Sequence, residues 1–295
     1  MRIPSANTKI VGLFGNPLGH TLSPLMQNTA FEICGIDFIY VPFQIKPEDL
    51  ERAVRNMPVY NFCGANVTMP YKTEVIKYID EIDELAKAIG AVNTLVVRDN
   101  KIIGYNTDGP GFIRSLRNER GIDPRNASFL IIGAGGAARG LAVTLAFEGA
   151  KHIFITNRTF EKAEALTRDV NNILNGVAEA LPLESHELSR AAESCQVIIN
   201  TTSVGMYPNT EEMPVAETIL RPDLLVCDVI YNPLKTRLLN TAEKKGCSIL
   251  TGVGMLVNQG AEAFRLWTGL KPPLGSMFEV VNRNLKRDSR ECIND

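Results

Sequence analysis

The chain is poor in the side chains that build metal sites and disulfide frameworks. Its 295 residues include three histidines and six cysteines, and no two cysteines are spaced as C-x-x-C. We therefore expect neither a bound metal nor a set of structural disulfides.

Neither sign of charge dominates, and no long apolar run occurs. Lys and Arg number 31 against 33 Asp and Glu, which gives a net charge of −2. That balance provides no electrostatic footprint for nucleic acid or for an anionic membrane. The first nine residues do not resemble a secretory signal, and no apolar stretch reaches the roughly 18 residues of a membrane helix. These absences predict a cytoplasmic protein without a nucleic-acid or membrane partner.

What the sequence does contain is a regular alternation of strand and helix patterns. Hydrophobic residues make up 45% and charged residues 22%, a mixture typical of a globular protein long enough for two domains. The first part of the chain has predicted strands at 10–14, 38–45 and 62–68, helices at 24–33 and 47–56, and a hairpin of 92–97 with 101–106. This order predicts an α/β domain whose mainly parallel sheet is covered by helices.

A second series of strands and helices follows a predicted connecting helix at 109–120. Its strands are predicted at 129–132, 152–155, 196–199, 224–228 and 248–250, and the chain from Met255 onward is predicted to be helical, with a frayed polar end. We therefore expect an α/β protein in three parts. These are an N-terminal α/β domain (1–108), a Rossmann-type domain (109–252) and a C-terminal helical return (253–295) that packs back on the first domain.

A glycine-rich turn follows the first strand of the second series. Gly133, Gly135 and Ala138 match the pattern G-x-G-x-x-G/A. The first glycine permits a tight turn, the second lets a pyrophosphate approach the backbone, and the third small residue lets the helix pack on the strand. The N–H groups at the start of that helix favour an anion. We therefore expect a dinucleotide to bind here, in contact with Gly136 and Ala137 as well.

The end of the next strand indicates which dinucleotide is bound. An NAD site usually carries Asp or Glu there to bind the ribose 2′-OH, but residues 156–159 are Thr-Asn-Arg-Thr. Arg158 can pair with a 2′-phosphate and stack on adenine, and Lys162 adds charge one helical turn later. The sequence therefore predicts NADP as the cofactor, held at this strand end by Asn157, Arg158, Thr159 and Lys162.

Four short polar motifs follow strand ends in the N-terminal half, at residues 15–24, 66–72, 90–94 and 104–109. Each has an ordinary structural explanation. Thr21 or Ser23 can cap a helix, and Asn93 can stabilise a turn. His20 is expected to make a structural hydrogen bond rather than to take part in catalysis. Taken singly, none of the four motifs identifies a site.

Taken together, the motifs resemble the shikimate dehydrogenase family, and the resemblance covers nearly the whole chain. Residues 200–206 resemble the family's N-x-T-x-x-G-M segment, residues 228–236 its D-x-x-Y-x-P-x-x-T segment, and residues 254–259 its G-M-L-x-x-Q segment. The resemblance implies NADP-dependent, reversible oxidation of shikimate to 3-dehydroshikimate in the pathway to chorismate and aromatic amino acids. It also implies that the cofactor contacts Thr201, Thr202, Gly252 and Met255.

The resemblance further assigns roles that suit the substrate, a ring with one carboxylate and three hydroxyls. Lys72 and Asp108 match the family's catalytic pair, and an ammonium at Lys72 can stabilise charge on the ketone oxygen and supply a proton. Which member of the pair carries the proton is left open. Donors to the carboxylate would be Thr21, Ser23 and Tyr231, and groups that bind the ring hydroxyls would be Asn66, Thr68, Asn93 and Gln259.

The chain departs from the family at one position of the first motif. Family members commonly have Ser-x-Ser-Pro where residues 21–24 are Thr-Leu-Ser-Pro. The extra methyl of Thr21 alters the space around the carboxylate and leaves the preference between shikimate and quinate open.

Two alternatives to the main interpretation therefore remain. One is a quinate/shikimate dehydrogenase that uses NAD or both cofactors, and the other is a non-catalytic metabolite sensor on the same fold. The presence of both Lys72 and Asp108 argues against the sensor. A cleft between the domains is expected to hold both ligands, and a homodimer is compatible with the sequence.

Overall fold

A computed structural model describes residues 3–19, 21–174 and 176–291, with only the backbone described for 287–291. The chain divides into two compact units. The first consists of the residues up to Gly111 together with Val257–Asn284, and the second of Phe112–Leu256 together with the residues from Leu285. His20 and the predicted frayed end at 292–295 lie outside the described residues. Among the residues described, no helix is both long and apolar enough to cross a membrane.

The first unit is built on a six-stranded sheet that is parallel in its first half. Strands β1 to β3 and their helices alternate as predicted, and β5 runs antiparallel to both of its neighbours. The strand order is β2-β1-β3-β5-β6-β4. The strands are β1 (Lys9–Gly15), β2 (Phe38–Gln44), β3 (Phe62–Val67), β4 (Glu81–Ile82), β5 (Thr94–Arg98) and β6 (Lys101–Tyr105).

Helices cover this sheet, and a tight hairpin sets the direction of β5. Asp99 and Asn100 both have positive φ, at 51° and 60°, as a two-residue type I′ turn requires, so the predicted hairpin is confirmed. The first helices are α1 (Ser23–Ile33), α2 (Leu50–Arg55), α3 (Glu84–Ile89) and α4 (Asp108–Arg120), with short 3-10 segments at Pro47–Asp49, Met57–Tyr60 and Glu74–Tyr78.

The topology of the first sheet brings the polar motifs to one edge. Strands β1, β3 and β6 end at this edge, and β5, which is antiparallel to β3 and β6, begins there. Asn66, next to the last residue of β3, is directly opposite Thr94, the first residue of β5. Residues that follow parallel strands and precede an antiparallel one therefore meet at a single edge.

The second unit has a fully parallel sheet in the order β12-β11-β10-β7-β8-β9. The strand order reverses between β7 and β10, which is where α/β sheets bind dinucleotides. Its strands are β7 (Ser128–Ile132), β8 (His152–Asn157), β9 (Ala178–Pro182), β10 (Val197–Asn200), β11 (Leu225–Asp228) and β12 (Ser248–Leu250). Its helices are α5 (Gly136–Phe147), α6 (Phe160–Ile173), α7 (His186–Ser194) and α8 (Arg237–Lys244), with 3-10 segments at Pro124–Asn126 and Glu217–Ile219.

Two C-terminal helices complete the chain, α9 (Gly252–Thr268) and α10 (Leu274–Glu291). The part of α9 that belongs to the first unit packs by aromatic and polar contacts. The ring of Phe264 stacks on Phe31 with centroids 5.5 Å apart. The indole of Trp267 donates a 2.9 Å hydrogen bond to the carbonyl of Leu95 in β5. Burial of these rings stabilises the first unit through its sequence-distant C-terminal segment.

Candidate active site

Lys72 and Asp108 form a direct ion pair at the polar edge of the first unit. Lys72 Nζ lies 2.7 Å from Asp108 Oδ2, and the two side chains are 34% and 23% exposed. Lys72 follows β3, and Asp108 is the first residue of α4, which begins just after β6. An ammonium has three N–H donors, so one can be shared with the carboxylate while others are offered to a ligand. Partial exposure leaves both groups accessible to a small molecule.

Asn93 holds the second oxygen of Asp108. Its Nδ2 donates to Asp108 Oδ1 at 2.9 Å and to the hydroxyl of Thr107 at 3.0 Å. The backbone N–H of Thr107 donates to Asn93 Oδ1 at 2.8 Å. A backbone N–H is an unambiguous donor, so it fixes which end of the amide faces Asp108. The carboxylate is therefore held on both oxygens, by Lys72 and by Asn93.

Asn66 lies on β3 in the same hydrogen-bonded group and is almost fully buried. Its Nδ2 donates to the carbonyl of Asn93 and to the hydroxyl of Thr94, both at 3.1 Å. Its Oδ1 accepts from the hydroxyl of Tyr40 at 2.8 Å. Both amide hydrogens are thus committed within the protein, and a lone pair of Oδ1 is what remains to interact with a ring hydroxyl. No role was predicted for Tyr40 or Thr94 from the sequence.

Neither Thr21 nor Ser23 is the N-cap residue of α1. That residue is Leu22, whose side chain makes no capping hydrogen bond. Thr21 Oγ1 accepts a long 3.3 Å hydrogen bond from the backbone N–H of Ser23. Burial raises the pKa of Tyr40 well above its ordinary value, and a hydrogen bond with Ser23 opposes that rise. Ser23 therefore contacts the same phenol that holds Asn66.

Close backbone approaches bring two further predicted residues to this unit's polar edge. A Cβ on Gly15 would clash with the side chain of Thr68, so glycine is required where the first motif passes the second. A Cβ on Gly111 would lie 2.5 Å from the backbone nitrogen of Gln259. Since Gly111 is in the first turn of α4 with Asp108, Gln259 is held close to the start of that helix. The structure thus groups the predicted residues of the first unit at one edge.

The glycine-rich turn of the second unit has the geometry that a dinucleotide turn needs. Gly133 has a φ of +114°, and a Cβ there would lie 2.5 Å from the hydroxyl of Thr201. Both the conformation and the contact require glycine. Thr201 is held by its own hydroxyl and N–H, which both donate to the carbonyl of Ile132. The turns after β7 and β10 are therefore packed together at the point where the strand order reverses.

The helix that follows offers its N-terminus to an anion. Gly135 is the N-cap of α5, and no side chain caps the helix. A Cβ on Gly135 or Gly136 would meet no described protein atom within 4 Å, so these glycines are not required by packing within the protein. Ala138 is fully buried against the unit's core, which is where a small residue is needed. Ala137 is exposed beside Gly136.

The end of β8 carries positive charge on an exposed surface. Arg158, Thr159 and Lys162 are exposed, and Asn157 is half-buried with its Nδ2 donating to the carbonyl of Thr159 at 2.8 Å. Thr159 is the N-cap of α6, and its side chain does not cap the helix. A guanidinium and an ammonium at a helix N-terminus suit a phosphate group.

A buried polar cluster behind the second unit's turns explains two of the family motifs. Asp228, at the end of β11, accepts hydrogen bonds from Asn200 Nδ2, from the Thr236 hydroxyl and from the N–H of Ile230. Burial raises the pKa of Asp228 to about 6 despite these donors. Asn200 Oδ1 in turn accepts from the N–H and the hydroxyl of Thr202. These structural roles were not predicted, although the motifs were recognised.

The remaining predicted residues also lie in the second unit. Tyr231 is half-buried, and burial raises its pKa. A Cβ on Gly252 would lie 2.5 Å from the carbonyl of Val229, so glycine is required where α9 starts against the β11 turn. Met255 follows one turn later and is half-buried. Tyr231 belongs to a different unit from the other predicted substrate residues, and its role remains a prediction.

Comparison with known proteins identifies three matching family models. They are a shikimate dehydrogenase substrate binding domain over residues 13–95, a shikimate/quinate 5-dehydrogenase model over 117–229, and a shikimate 5′-dehydrogenase C-terminal domain over 252–281. The matched segments follow one another along the chain. They include the motifs at 15–24, 66–72, 90–94, 200–206 and 254–259 and only the start of the motif at 228–236, and the motif at 104–109 lies between the first two of them.

Individual relatives match over nearly their whole length. An NADP+-dependent shikimate dehydrogenase of Methanopyrus kandleri is 46% identical over 282 residues, which are 95% of this chain and 97% of that protein. A solved shikimate dehydrogenase in complex with NADP+ is 41% identical, with a TM-score of 0.90 over 96% of this chain and 98% of that one. A Listeria monocytogenes shikimate 5-dehydrogenase in complex with shikimate and NAD is 37% identical, with a TM-score of 0.91 over 95% and 99%.

Proposed function

This chain belongs to the shikimate dehydrogenase family, and we infer that it catalyses the reversible NADP-dependent reduction of 3-dehydroshikimate to shikimate. It is an oxidoreductase that acts on a CH–OH group and serves the pathway to chorismate and aromatic amino acids. The observation that carries the assignment is the 2.7 Å ion pair of Lys72 with Asp108, which lies among polar groups suited to a hydroxylated ring.

The ion pair supports a division of labour in the reaction. In ketone reduction, the Lys72 ammonium donates to the ring oxygen, stabilises the negative charge that develops there and supplies its proton. Asp108 accepts from Lys72 and holds it in place, while its other oxygen is held by Asn93. We propose that Lys72 carries the proton, because an ammonium has further N–H groups to give to the ring oxygen while an ionised carboxylate only accepts. In the reverse direction the deprotonated amine takes the proton of the shikimate hydroxyl.

The groups of the second unit fit NADP. The φ of Gly133, the glycine N-cap of α5 and the open space that the described residues leave beside Gly135 suit a pyrophosphate. Arg158 and Lys162 suit a 2′-phosphate, with Asn157 and Thr159 beside them. When bound, NADPH supplies the hydride that reduces the ketone. We expect Gly136, Ala137, Ala138, Thr201, Thr202, Gly252 and Met255 to contact the cofactor.

The two units have distinct proposed roles. The first carries most of the proposed substrate residues. Donors to the carboxylate would be Thr21, Ser23 and Tyr231, and groups that bind the ring hydroxyls would be Asn66, Thr68, Asn93 and Gln259. The second unit binds NADP. We propose that the enzyme works in the cytoplasm, and that a homodimer is its assembly. Size-exclusion chromatography with light scattering measures the assembly directly.

A matrix of two substrates and two cofactors tests the function. The purified protein is assayed with shikimate or quinate, each with NADP+ or NAD+, by the absorbance of the reduced nicotinamide. We expect shikimate with NADP+ to give the highest kcat/KM. A higher kcat/KM for quinate, which Thr21 at the first carboxylate position leaves open, would instead favour the quinate enzyme. No turnover in any combination would favour the metabolite sensor.

Replacing Ser23 with alanine is expected to raise KM for shikimate about tenfold or more, because a hydrogen bond to a charged group is lost. The effect on kcat should be smaller, since the carboxylate is bound alike in the ground and transition states. Steady-state kinetics at saturating NADP+ measure both constants.

Thr21→Ser in the same assay should change the shikimate-to-quinate ratio of kcat/KM.

Ser185→Ala is the matched control for that experiment. Ser185 is the N-cap of α7, and its hydroxyl accepts from the N–H of Leu188 at 3.0 Å. Its replacement should lower the unfolding temperature without changing the kinetics. If Ser23→Ala behaves in the same way, then Ser23 has only a structural role.

Replacing Arg158 with alanine is expected to weaken NADP+ binding by about 1.5–3 kcal/mol, or roughly 10- to 150-fold, through loss of a charge-assisted phosphate contact. NAD+ lacks the 2′-phosphate, so its affinity should change little. Titration of each cofactor by calorimetry or fluorescence measures the two affinities. Arg168→Ala, an exposed arginine farther along α6, should leave both unchanged. Equal losses for NADP+ and NAD+ would contradict the assignment.

A further inference from the structure

A continuous series of hydrogen bonds runs from Tyr40 to Asp108, and Thr94 is its central link. The Tyr40 hydroxyl donates to Asn66 Oδ1 at 2.8 Å, and Asn66 Nδ2 donates to Thr94 Oγ1 at 3.1 Å. Thr94 Oγ1 donates to Asn93 Oδ1 at 3.0 Å, and Asn93 Nδ2 donates to Asp108 Oδ1 at 2.9 Å. In each of these bonds the donor is on the Tyr40 side and the acceptor is on the Asp108 side. The last acceptor is the carboxylate of Asp108.

Two backbone groups fix the direction of this series. Asn66 Nδ2 also donates to the carbonyl of Asn93, and the N–H of Thr107 donates to Asn93 Oδ1. A carbonyl only accepts and a backbone N–H only donates, so neither amide can be reversed without losing a bond. The hydroxyl of Thr94 must therefore accept from Asn66 and give its single hydrogen to Asn93 or, at 3.2 Å, to the neighbouring hydroxyl of Thr107.

The position of Thr94 suits this role. It is fully buried, it is the first residue of β5, and it is directly opposite Asn66 on β3. Because Thr94 is buried, removing its hydroxyl would leave the N–H of Asn66 that donates to it without that acceptor. An unpaired polar group in a buried place is costly. Aligned hydrogen bonds also polarise one another, so the links strengthen the last bond, which is to Asp108.

We propose that Thr94 is a positioning residue for the reaction: its hydroxyl joins Asn66 to Asn93 and so holds Asp108 in the orientation in which it pairs with Lys72. The proposal rests on the proposed function. Thr94 does not itself touch the reacting atoms. Loss of its hydroxyl should remove one restraint from the amide of Asn66 and one from the amide of Asn93, which affects both the binding of the ring hydroxyls and the placement of Asp108.

Two substitutions separate positioning from packing. Thr94→Val keeps the volume and branched shape but removes the hydroxyl, whereas Thr94→Ser keeps the hydroxyl and removes the methyl. If the hydroxyl positions the site, Thr94→Val should lower kcat/KM for shikimate about tenfold or more, with contributions from both kcat and KM. Thr94→Ser should stay within about threefold of wild type although it leaves a small cavity. NADP+ affinity should be unchanged in both.

Thr144→Val is the matched control. Thr144 is equally buried, but its hydroxyl donates to the carbonyl of Gly140 within α5 of the second unit. It should alter only the unfolding temperature, which is measured for every variant. If Thr94→Val does not fold, Thr94→Ala removes the same hydroxyl without adding a methyl beside the two amides, and it should show the same loss of kcat/KM.

The outcomes are distinguishable. A wild-type protein without NADP+-dependent shikimate oxidation would refute the proposed function itself. An active wild type with kcat/KM of Thr94→Val within threefold would overturn only the role of Thr94. A larger kinetic loss in Thr94→Ser than in Thr94→Val would also overturn it, because packing of the methyl would then matter more than the hydroxyl.

Discussion

Replacing Lys72 with alanine is expected to lower kcat for shikimate oxidation by about 10²- to 10⁴-fold, the usual contribution of general acid–base assistance. In the proposed mechanism the ammonium acts where charge develops on the reacting oxygen, and it is 2.7 Å from Asp108 in the first unit. The cofactor groups belong to the second unit, so NADP+ affinity should remain nearly unchanged. Steady-state kinetics and a separate NADP+ titration measure the two quantities.

Lys77→Ala is a matched control for this substitution. Lys77 is five residues further along the same segment and also makes a lysine–carboxylate pair, with Glu74 at 2.8 Å, but its side chain is 65% exposed. An exposed pair of this kind contributes little, so kcat should not change. A Lys72→Ala enzyme with near wild-type kcat would contradict the catalytic role and show that Lys72 is an ordinary surface residue.

Much of the fold could be predicted because the apolar patterns are local. The strands and helices around the glycine turn, the hairpin at residues 99–100 and the α/β fold class were predicted from alternation and turn residues. Strand β9 (Ala178–Pro182) was missed because it carries Glu179 and ends in proline, a composition that disfavours a strand except at a sheet edge. Strand β4 has two residues, too few to form a pattern.

The candidate site was predictable to the extent that its residues stand in short motifs. Lys72, Asp108 and Asn93 are visible in sequence because each lies in a polar segment at a strand end. Tyr40 lies in no motif, and Thr94 closes the motif at 90–94 without a predicted role, since each is a β-forming residue within or at the start of a strand and is typical of a core position. Their hydroxyls gain a role only when β2, β1, β3 and β5 are assembled in that order into one sheet, which depends on pairings distant in sequence.

The same limit applies to the buried carboxylate of the second unit. The motif that contains Asp228 and Thr236 was recognised, but a motif does not say which of its residues touch each other. The structure shows that the Thr236 hydroxyl donates to Asp228 while its oxygen accepts from the N–H of Leu239 as the N-cap of α8. This pair therefore connects the turn after β11 to the following helix.

Replacing Asp108 with asparagine should impair both catalysis and binding. The neutral amide keeps the shape of the side chain. It loses the negative charge that holds Lys72, and it also loses one of the two acceptor oxygens. We expect kcat to fall by about 10- to 10³-fold, within the range of general acid–base effects. We also expect a higher KM for shikimate, because in the proposed site the carboxylate accepts from a ring hydroxyl. Asp83→Asn, at the N-cap of α3 in the same unit, should leave both constants unchanged.

The double variant Lys72→Ala with Asp108→Asn shows whether the two residues work as one unit. Once Lys72 is absent, Asp108 has no ammonium to orient, so the second substitution should lower kcat by much less than it does alone. The four enzymes of this cycle are compared at saturating NADP+, with folding checked by circular dichroism. If the two losses multiply fully, Asp108 contributes independently of Lys72, and its effect then comes from contact with the substrate rather than from holding the lysine.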